Sequence, residues 1–318
     1  MKRFFICAAA AIVALASCSK TEVVNTSAPE EIGFKAVTGA ITKAEQTGTL
    51  SGDMGVYAFI NGEGDVYFEN IQFTETDNVW TGGQYWPLQS NLDFVVYSPY
   101  DNTASYATKK LTVSVSNART DDISEQTDYL YGAEYFDGLL TATTGYNKNS
   151  GNIPTSLNHA LAKVTLNFAG ANVTVNSVAL QDASLAGTYV VDYSTPTTPS
   201  ISWSSTTPHA NVTLSAINNK QLAPAVLDDP NTDSVNEAAD PKTASATIMV
   251  VPKYDSNILI EYTIDGAEGV LDATIELDGE WVSGTSYTYN ITITPAAIKF
   301  AEPTVNRWTS ETPVDKVL

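Results

Sequence analysis

The octapeptide KKLTVSVS, Lys109–Ser116, decides the fold class, because Leu111, Val113 and Val115 alternate with Thr112, Ser114 and Ser116. Successive side chains of an extended chain point to opposite faces, so this alternation makes one apolar face and one hydroxyl face. Such a segment is a strand lying on a core with its other side wet; a helix would scatter the same residues around its circumference. The signature recurs on the N-terminal side in DMGVYAFI, GDVYFENIQFT and LDFVVYSPYD, separated by Gly62-Glu63-Gly64, Gly82-Gly83 and Ser98-Pro99 as breakers. TDYLYGAEY follows a polar loop. Up to Thr141 this makes roughly seven short strands with turn signals between them, the pattern of a β-sandwich.

A second set begins after the Gly, Asn and Ser loop TTGYNKNSGNIPTS, Thr143–Ser156, which marks the domain boundary. Its strands are HALAKVTLNFAG, VTVNSVALQD, GTYVVDY, ANVTLSAI, TASATIMVVPK, NILIEYTI, VLDATIEL and SYTYNITITPAAIKFA. With no repeat at a fixed short period, two sandwiches are expected rather than a solenoid, an N-terminal domain over 31–153 and a C-terminal one over 154–318. Helix signals are nearly absent; SVNEAAD could form one turn.

Composition agrees. A chain of 318 residues can bury two cores, and its Thr, Ser, Asn, Tyr and Val suit half-buried pleated surfaces. The formal charge of −20 repels phosphate backbones and anionic membrane surfaces, which excludes nucleic acid as a partner. Lys2-Arg3, the apolar run Phe4–Leu15 and the small residues after it form an export signal over 1–17, too short in its apolar part to span a bilayer. LASC, Leu15–Cys18, resembles a bacterial lipobox, which implies cleavage before Cys18 and acylation of its thiol; an ordinary signal peptide containing Cys18 is the alternative. Cys7 lies within the removed segment, so no disulfide framework is available and stability rests on sheet packing. Losing Lys2 and Arg3 takes the formal charge from −20 to −22. Residues 18–30 have little to bury and read as a tether. Their start, Ser19-Lys20-Thr21-Glu22, resembles the short signal that sends lipoproteins of Bacteroidota to the cell surface.

Several separated motifs point to one family. QYWPLQSNLDFVVYSPYD, Gln84–Asp101, resembles the W-P then F-x-x-Y-x-P-Y pattern of the fimbrillins, the pilin lipoproteins of Bacteroidales that build type V pili. TDYLYG, Thr127–Gly132, is similar to their D-x-L-Y segment, and LNHALAKVTLNF, Leu157–Phe168, to the H-x-L-A-K-V strand that opens their second domain. WVSGTSYTYNITIT followed by Trp308 resembles their G-x-x-Y-x-Y-x-I-x-I and closing Trp. The resemblance spans most of the mature chain. It implies two transthyretin-like Greek-key β-sandwiches in tandem, carried to the outer membrane by the lipid on Cys18 and joined to other fimbrial subunits by strand exchange, with a host or bacterial surface as the adhesion target.

In this family a trypsin-like protease removes the first strand and opens an acceptor groove. The matching strand here lies in EIGFKAVTGAITKA, with Ile32, Phe34 and Ala36 on one face as in an edge or exchanged strand, and the processing bond falls at Lys43-Ala44. The alternative is a permanent first strand in an unprocessed anchor or tip subunit. The donor is expected in the C-terminal segment, with Ile298, Phe300, Val305, Trp308, Val314 and Val317 as plugs for apolar pockets. The same residues also fit a last strand packed on its own domain.

Enzymatic chemistry finds few parts. His159 lies in an alternating strand and His209 in a loop, and G-x-S-x-G, H-E-x-x-H and Cys-x-x-Cys motifs are absent. Asp121-Asp122 reads as a solvated loop pair rather than a glycosidase dyad. No cofactor and no metal is expected. The loop DPNTDSVNEAAD places oxygen ligands at Asp229, Asn231, Asp233, Glu237 and Asp240, but it lacks the turn glycine and the closing Glu of a calcium loop. A second function class is a surface glycan-binding lipoprotein that does not polymerise, with Trp80, Tyr85 and Trp86, or Trp203, as a stacking platform.

Overall fold

The computed structural model describes residues 29–36, 52–117, 122, 125–134, 145–195, 198–204, 210–222, 244–252, 256–277, 280–300 and 303–308. In chain order the strands are β1 (Glu31–Ala36), β2 (Met54–Ile60), β3 (Val66–Thr76), β4 (Val79–Tyr85), β5 (Leu92–Ser98), β6 (Ser105–Ala107), β7 (Lys110–Ser116), β8 (Leu130–Glu134), β9 (Ile153–Thr155), β10 (Asn158–His159) and β11 (Ala162–Gly170). There follow β12 (Val173–Ala183), β13 (Ala186–Asp192), β14 (Ser200–Ser204), β15 (Ala210–Thr213), β16 (Lys220–Gln221), β17 (Ala244–Val250), β18 (Asn257–Ile264), β19 (Leu271–Glu276), β20 (Thr285–Thr294), β21 (Ala297–Phe300) and β22 (Thr304–Arg307). The fold is all-β: a single 3₁₀ turn, Ser215–Ile217, is the one helical element among the described residues, so none there is long and apolar enough to cross a membrane.

The N-terminal strands form one eight-stranded sheet in the order β10-β8-β5-β2-β3-β4-β1-β9. At its centre β2 and β5 are buried on both faces, which is why their sequences are nearly continuous apolar runs instead of alternations. Met54, Val56, Leu92, Phe94 and Val96 face one core together with Ile32, Phe34, Phe73 and Trp80. Tyr57, Phe59, Val95 and Tyr97 face another. The ring of Tyr97 lies directly against Gly55, where any Cβ would collide with it. The long strand β3 serves both halves of the sheet, pairing with β2 over Val66–Phe73 and with β4 over Thr74–Thr76.

The second face is covered by a four-stranded sheet, β14-β13-β7-β6. Here KKLTVSVS provides β7, and its Leu111, Val113 and Val115 are buried as the alternation predicts. Its main partner comes from beyond the expected boundary. β13 pairs with β7 along its whole length, from Ala186↔Ser116 to Asp192↔Lys110, and adds Tyr189 and Val191 to the core, with Tyr193 just after it. Two hairpin strands from the second half of the chain thus complete the cover of the first.

The remaining strands build a sandwich of β17-β11-β20-β21, with β22 also on β20, against β15-β12-β18-β19, with β16 also on β12. Its core takes Val164, Leu166 and Phe168 of β11, Val175, Val178 and Leu180 of β12, Ile258 and Ile260 of β18, and Ile291 and Ile293 of β20. Met249 on the outer face of β17 and the neighbouring Val251 join the tyrosine core instead, so that core seams the two halves together.

The seam is rich in tyrosines whose hydroxyls donate to backbone carbonyls: Tyr57 to Ala104 at 2.9 Å, Tyr97 to Asp101 at 2.7 Å, and Tyr193 to Gly132 at 3.1 Å. Burial, with a smaller push from Glu69 and Asp101, raises the Tyr57 phenol to about 12. Burial holds Tyr189 and Tyr193 well above the ordinary value. Below the unfolded value of about 10 both states keep these protons; above it the unfolded chain releases them first, so stability is lost as pH rises toward the folded values. The share of tyrosinate absorbance that belongs to the buried seam is therefore expected to appear in step with unfolding in an alkaline titration, not before it, as read by simultaneous absorbance and circular dichroism. Tyr189→Ala, which empties the centre of the seam, is expected to cost about 3–5 kcal/mol by analogy with other buried aromatic truncations, measured as a lowered urea midpoint.

Candidate functional site

Strand β1 lies inside the sheet rather than at its edge. It pairs antiparallel with β4, Gly33↔Thr81 and Phe34↔Trp80, and parallel with β9, Phe34↔Ile153 through Ala36↔Thr155. An edge position, one of the two expected from alternation alone, is corrected by β9, which returns from more than a hundred residues later to cover the outer side. Ile32 and Phe34 are fully buried, and Phe34 meets Phe73 and Phe94 edge-on at centroid distances of 5.4 and 5.2 Å. At the start of the strand the Glu31 carboxylate accepts the Gly83 N–H at 2.9 Å, and the Trp86 N–H donates to the Glu30 carbonyl at 3.0 Å. Without β1, the facing edges of β4 and β9 would lose their partners and two apolar slots would open between them. Cys18, Lys43 and Ala44 lie outside the described residues, as does the side chain of Ala36.

The C-terminal segment occupies one side of β20. β21 pairs Phe300↔Ile291 to Ala297↔Thr294, and β22 continues along the same strand, Thr304↔Thr288 to Arg307↔Thr285. Ile298 packs against the C-terminal core, whereas Val305 is half exposed. Trp308 is buried in the seam, its backbone N–H donating to the Gly284 carbonyl at 2.8 Å. Val314, Val317 and the Phe300 side chain lie outside the described residues.

A buried polar cluster holds the end of this segment. The His159 Nδ1–H donates to the Asp128 carboxylate at 2.8 Å, and the Trp308 indole lies flat on the His159 ring, 3.7 Å away and 4° from parallel. Lys163 sits over the indole, 5.7 Å from its centroid. Burial pushes the Asp128 carboxyl up, opposed by His159 and then by Lys163. No group hydrogen-bonds His159 Nε2 among the described residues, so the Asp-His pair does not reach a nucleophile. Residue order gives no hint that Asp128, His159 and Trp308 meet, although each belongs to a motif that carries the family resemblance.

The expected aromatic platform does not form. Trp80 is fully buried, its indole N–H given to the Gly52 carbonyl at 2.8 Å, and Trp86 is buried as well. Trp203 packs on Tyr189 and donates to the Ser283 hydroxyl at 3.0 Å. Only Tyr85 of the four offers a largely open ring, because β4 turns its neighbours inward. Asp122 is exposed, while Asp121, His209 and the loop bearing Asp229, Asn231, Asp233, Glu237 and Asp240 lie outside the described residues. Among the described residues no group of acidic, His or Cys side chains could hold a metal ion.

Comparison with known proteins places this architecture. Two solved structures share it: a candidate cell adhesion protein from Bacteroides uniformis, with a TM-score of 0.54, 20% identity and coverage of 88% of this chain and 98% of the other, and one from Bacteroides ovatus, with a TM-score of 0.55, 16% identity and coverage of 90% and 100%. At these identities the likeness is one of fold. Comparison with curated protein sequences returns no match. The model of the fimbrillin-like family matches residues 38–308, most of the chain, and on that match this chain belongs to the fimbrillin-like family.

Proposed function

We propose that this chain is a subunit or an accessory tip or anchor component of cell-surface fimbriae, exported as a lipoprotein through Cys18 and joined to other fimbrial subunits by strand exchange in support of adhesion. The role is structural, not enzymatic. The observation that carries the proposal is the place of β1, an inner strand with Ile32 and Phe34 fully buried between β4 and β9. A strand so placed contributes to the core, yet it is the first of the described strands, so that one cut between residues 37 and 51 would part it from β2 and all that follows. Its loss would leave two unpaired strand edges flanking an apolar slot, the surface that β-augmentation by a neighbour fills. Refilling the Ile32 and Phe34 positions would return about 1.5–3 kcal/mol per side chain, before the cost of ordering the incoming strand.

The lipid on Cys18 would hold the precursor at the outer membrane, and cleavage at Lys43-Ala44 would part the subunit from both anchor and plug. The donor would be the C-terminal segment from Ile298 onward. To serve, it would have to leave β20 and withdraw Trp308 from His159. That step sets a threshold against premature assembly, since the indole buries a large apolar area where it lies.

Two outcomes test the reading. Limited treatment of the purified protein with a lysine-cutting protease is expected to yield a new N-terminus at Ala44 and ladders that survive mild denaturant, with Lys43→Ala abolishing both; N-terminal sequencing and gel electrophoresis read the result, and clipped protein that stays monomeric would exclude a stalk role. Phe34→Ala is expected to destabilise the uncut protein by about 3–5 kcal/mol, read as its urea midpoint. It should leave the stability of the processed form unchanged, because residue 34 has then departed; an equal loss in both forms would show that β1 stays.

A further inference from the structure

The end of β22 walls a cavity of about 450 Å³ between the two halves of the chain, within the usual range of roughly 300–1,000 Å³ for small-ligand sites. Its lining is unlike the rest of this molecule. The sequence carries thirty-six acidic residues against sixteen Lys and Arg, yet no carboxylate lines the cavity and Arg307 does. Glu134 and Asp128 stand behind the lining, each bonded to one of its residues: Glu134 accepts the Ser156 backbone N–H at 2.8 Å and Asp128 pairs with His159 Nδ1 at 2.8 Å. Arg307 is exposed and makes no ion pair among the described residues. Ser283 and Thr285 add hydroxyls, and Leu157 is the sole aliphatic side chain of the lining.

Two side chains of the lining carry unpaired polar atoms. The Nε2 of His159 and the Nε1–H of Trp308 are both buried and both lack a hydrogen-bond partner among the described residues, on side chains 2% and 6% exposed. Buried polar atoms left unpaired are uncommon, and each calls for an explanation. Because Nδ1 of His159 is engaged by Asp128, Nε2 is the ring nitrogen left to pair with a ligand, while the indole nitrogen is a donor. The lining residues therefore combine a guanidinium fork, which matches a planar carboxylate, with an unpaired imidazole nitrogen and an unpaired indole donor, groups that hydroxyls can satisfy.

From this combination we infer that the cavity binds a carboxylated monosaccharide, a uronic or sialic acid type of sugar, with its carboxylate on Arg307 and its hydroxyls toward His159, Trp308, Ser283 and Thr285. A peptide bearing a terminal carboxylate is disfavoured, because Leu157 is the one aliphatic side chain in a lining whose other side chains are polar or aromatic. The site exists while β22 lies on β20, so ligand and donor-strand release compete for Arg307 and Trp308.

The test is calorimetric titration of the intact, uncut protein with galacturonic acid and N-acetylneuraminic acid, with galactose as the neutral control; it does not depend on cleavage at Lys43 or on assembly. Saturable binding of at least one acidic sugar is expected, with galactose at least tenfold weaker. Arg307→Gln is expected to weaken the acidic sugar at least tenfold without moving the urea midpoint, since Arg307 is exposed. In protein labelled with ¹⁵N-histidine, the ligand should shift the His159 signal and leave His209 in place. Equal binding of galactose, an unchanged affinity in Arg307→Gln, or binding of a C-terminal peptide carboxylate in place of the sugars would each overturn the assignment.

Discussion

The pairing of β7 with β13 is the constraint on which the rest of the structure depends. The eight-stranded sheet has an apolar surface on both sides of β2 and β5, and such a sheet must be covered twice. One side is closed by β1, β4 and β9, strands of the same sheet. On the other, β6 and β7 alone would make a narrow ribbon, too small to shield Tyr57, Tyr97 and Tyr131. The β13-β14 hairpin widens the cover and brings Tyr189 and Tyr193 with it. Because that hairpin grows out of β12, a core strand of the C-terminal sandwich, closing the first core also fixes the second beside it.

Tyrosine suits this seam because it buries a large apolar ring yet keeps one polar atom that can reach an edge. The hydroxyls end on the carbonyls of Ala104, Asp101 and Gly132, so that each ring is held in register as well as packed. Phenylalanine would fill the same volume without specifying which strand lies opposite. The seam is thereby specific where an aliphatic core would tolerate sliding.

The first and the last of the described strands are handled alike. β1 enters a slot between strands distant in sequence, and the C-terminal segment ends on a stacked indole, Trp308 on His159. Each end is held by strand pairing together with a small number of deeply buried side chains. Such attachments are strong while intact and are lost as units. A protein whose proposed assembly requires one end to leave and the other to find a new partner is well served by both properties.

Much of this was legible in the sequence. Period-two alternation at Leu111, Val113 and Val115 and at Ile32 and Phe34 identifies strands and their inward faces, because the pleat ties residue parity to side of sheet. Motifs around Trp86-Pro87, Asp128, His159 and Trp308 carry the family resemblance that the fimbrillin-like match confirms. Alternation says nothing, however, about which strand lies beside which. That β9 covers β1, that β13 crosses to β7, that Trp80 faces a core and not a sugar, and that Asp128, His159 and Trp308 converge on one spot all depend on pairings between residues far apart in the chain. Local sequence determines the face a residue presents, since that is set by the geometry of its own backbone; tertiary structure alone decides what that face meets, since the partner is chosen by which distant surfaces can be buried together.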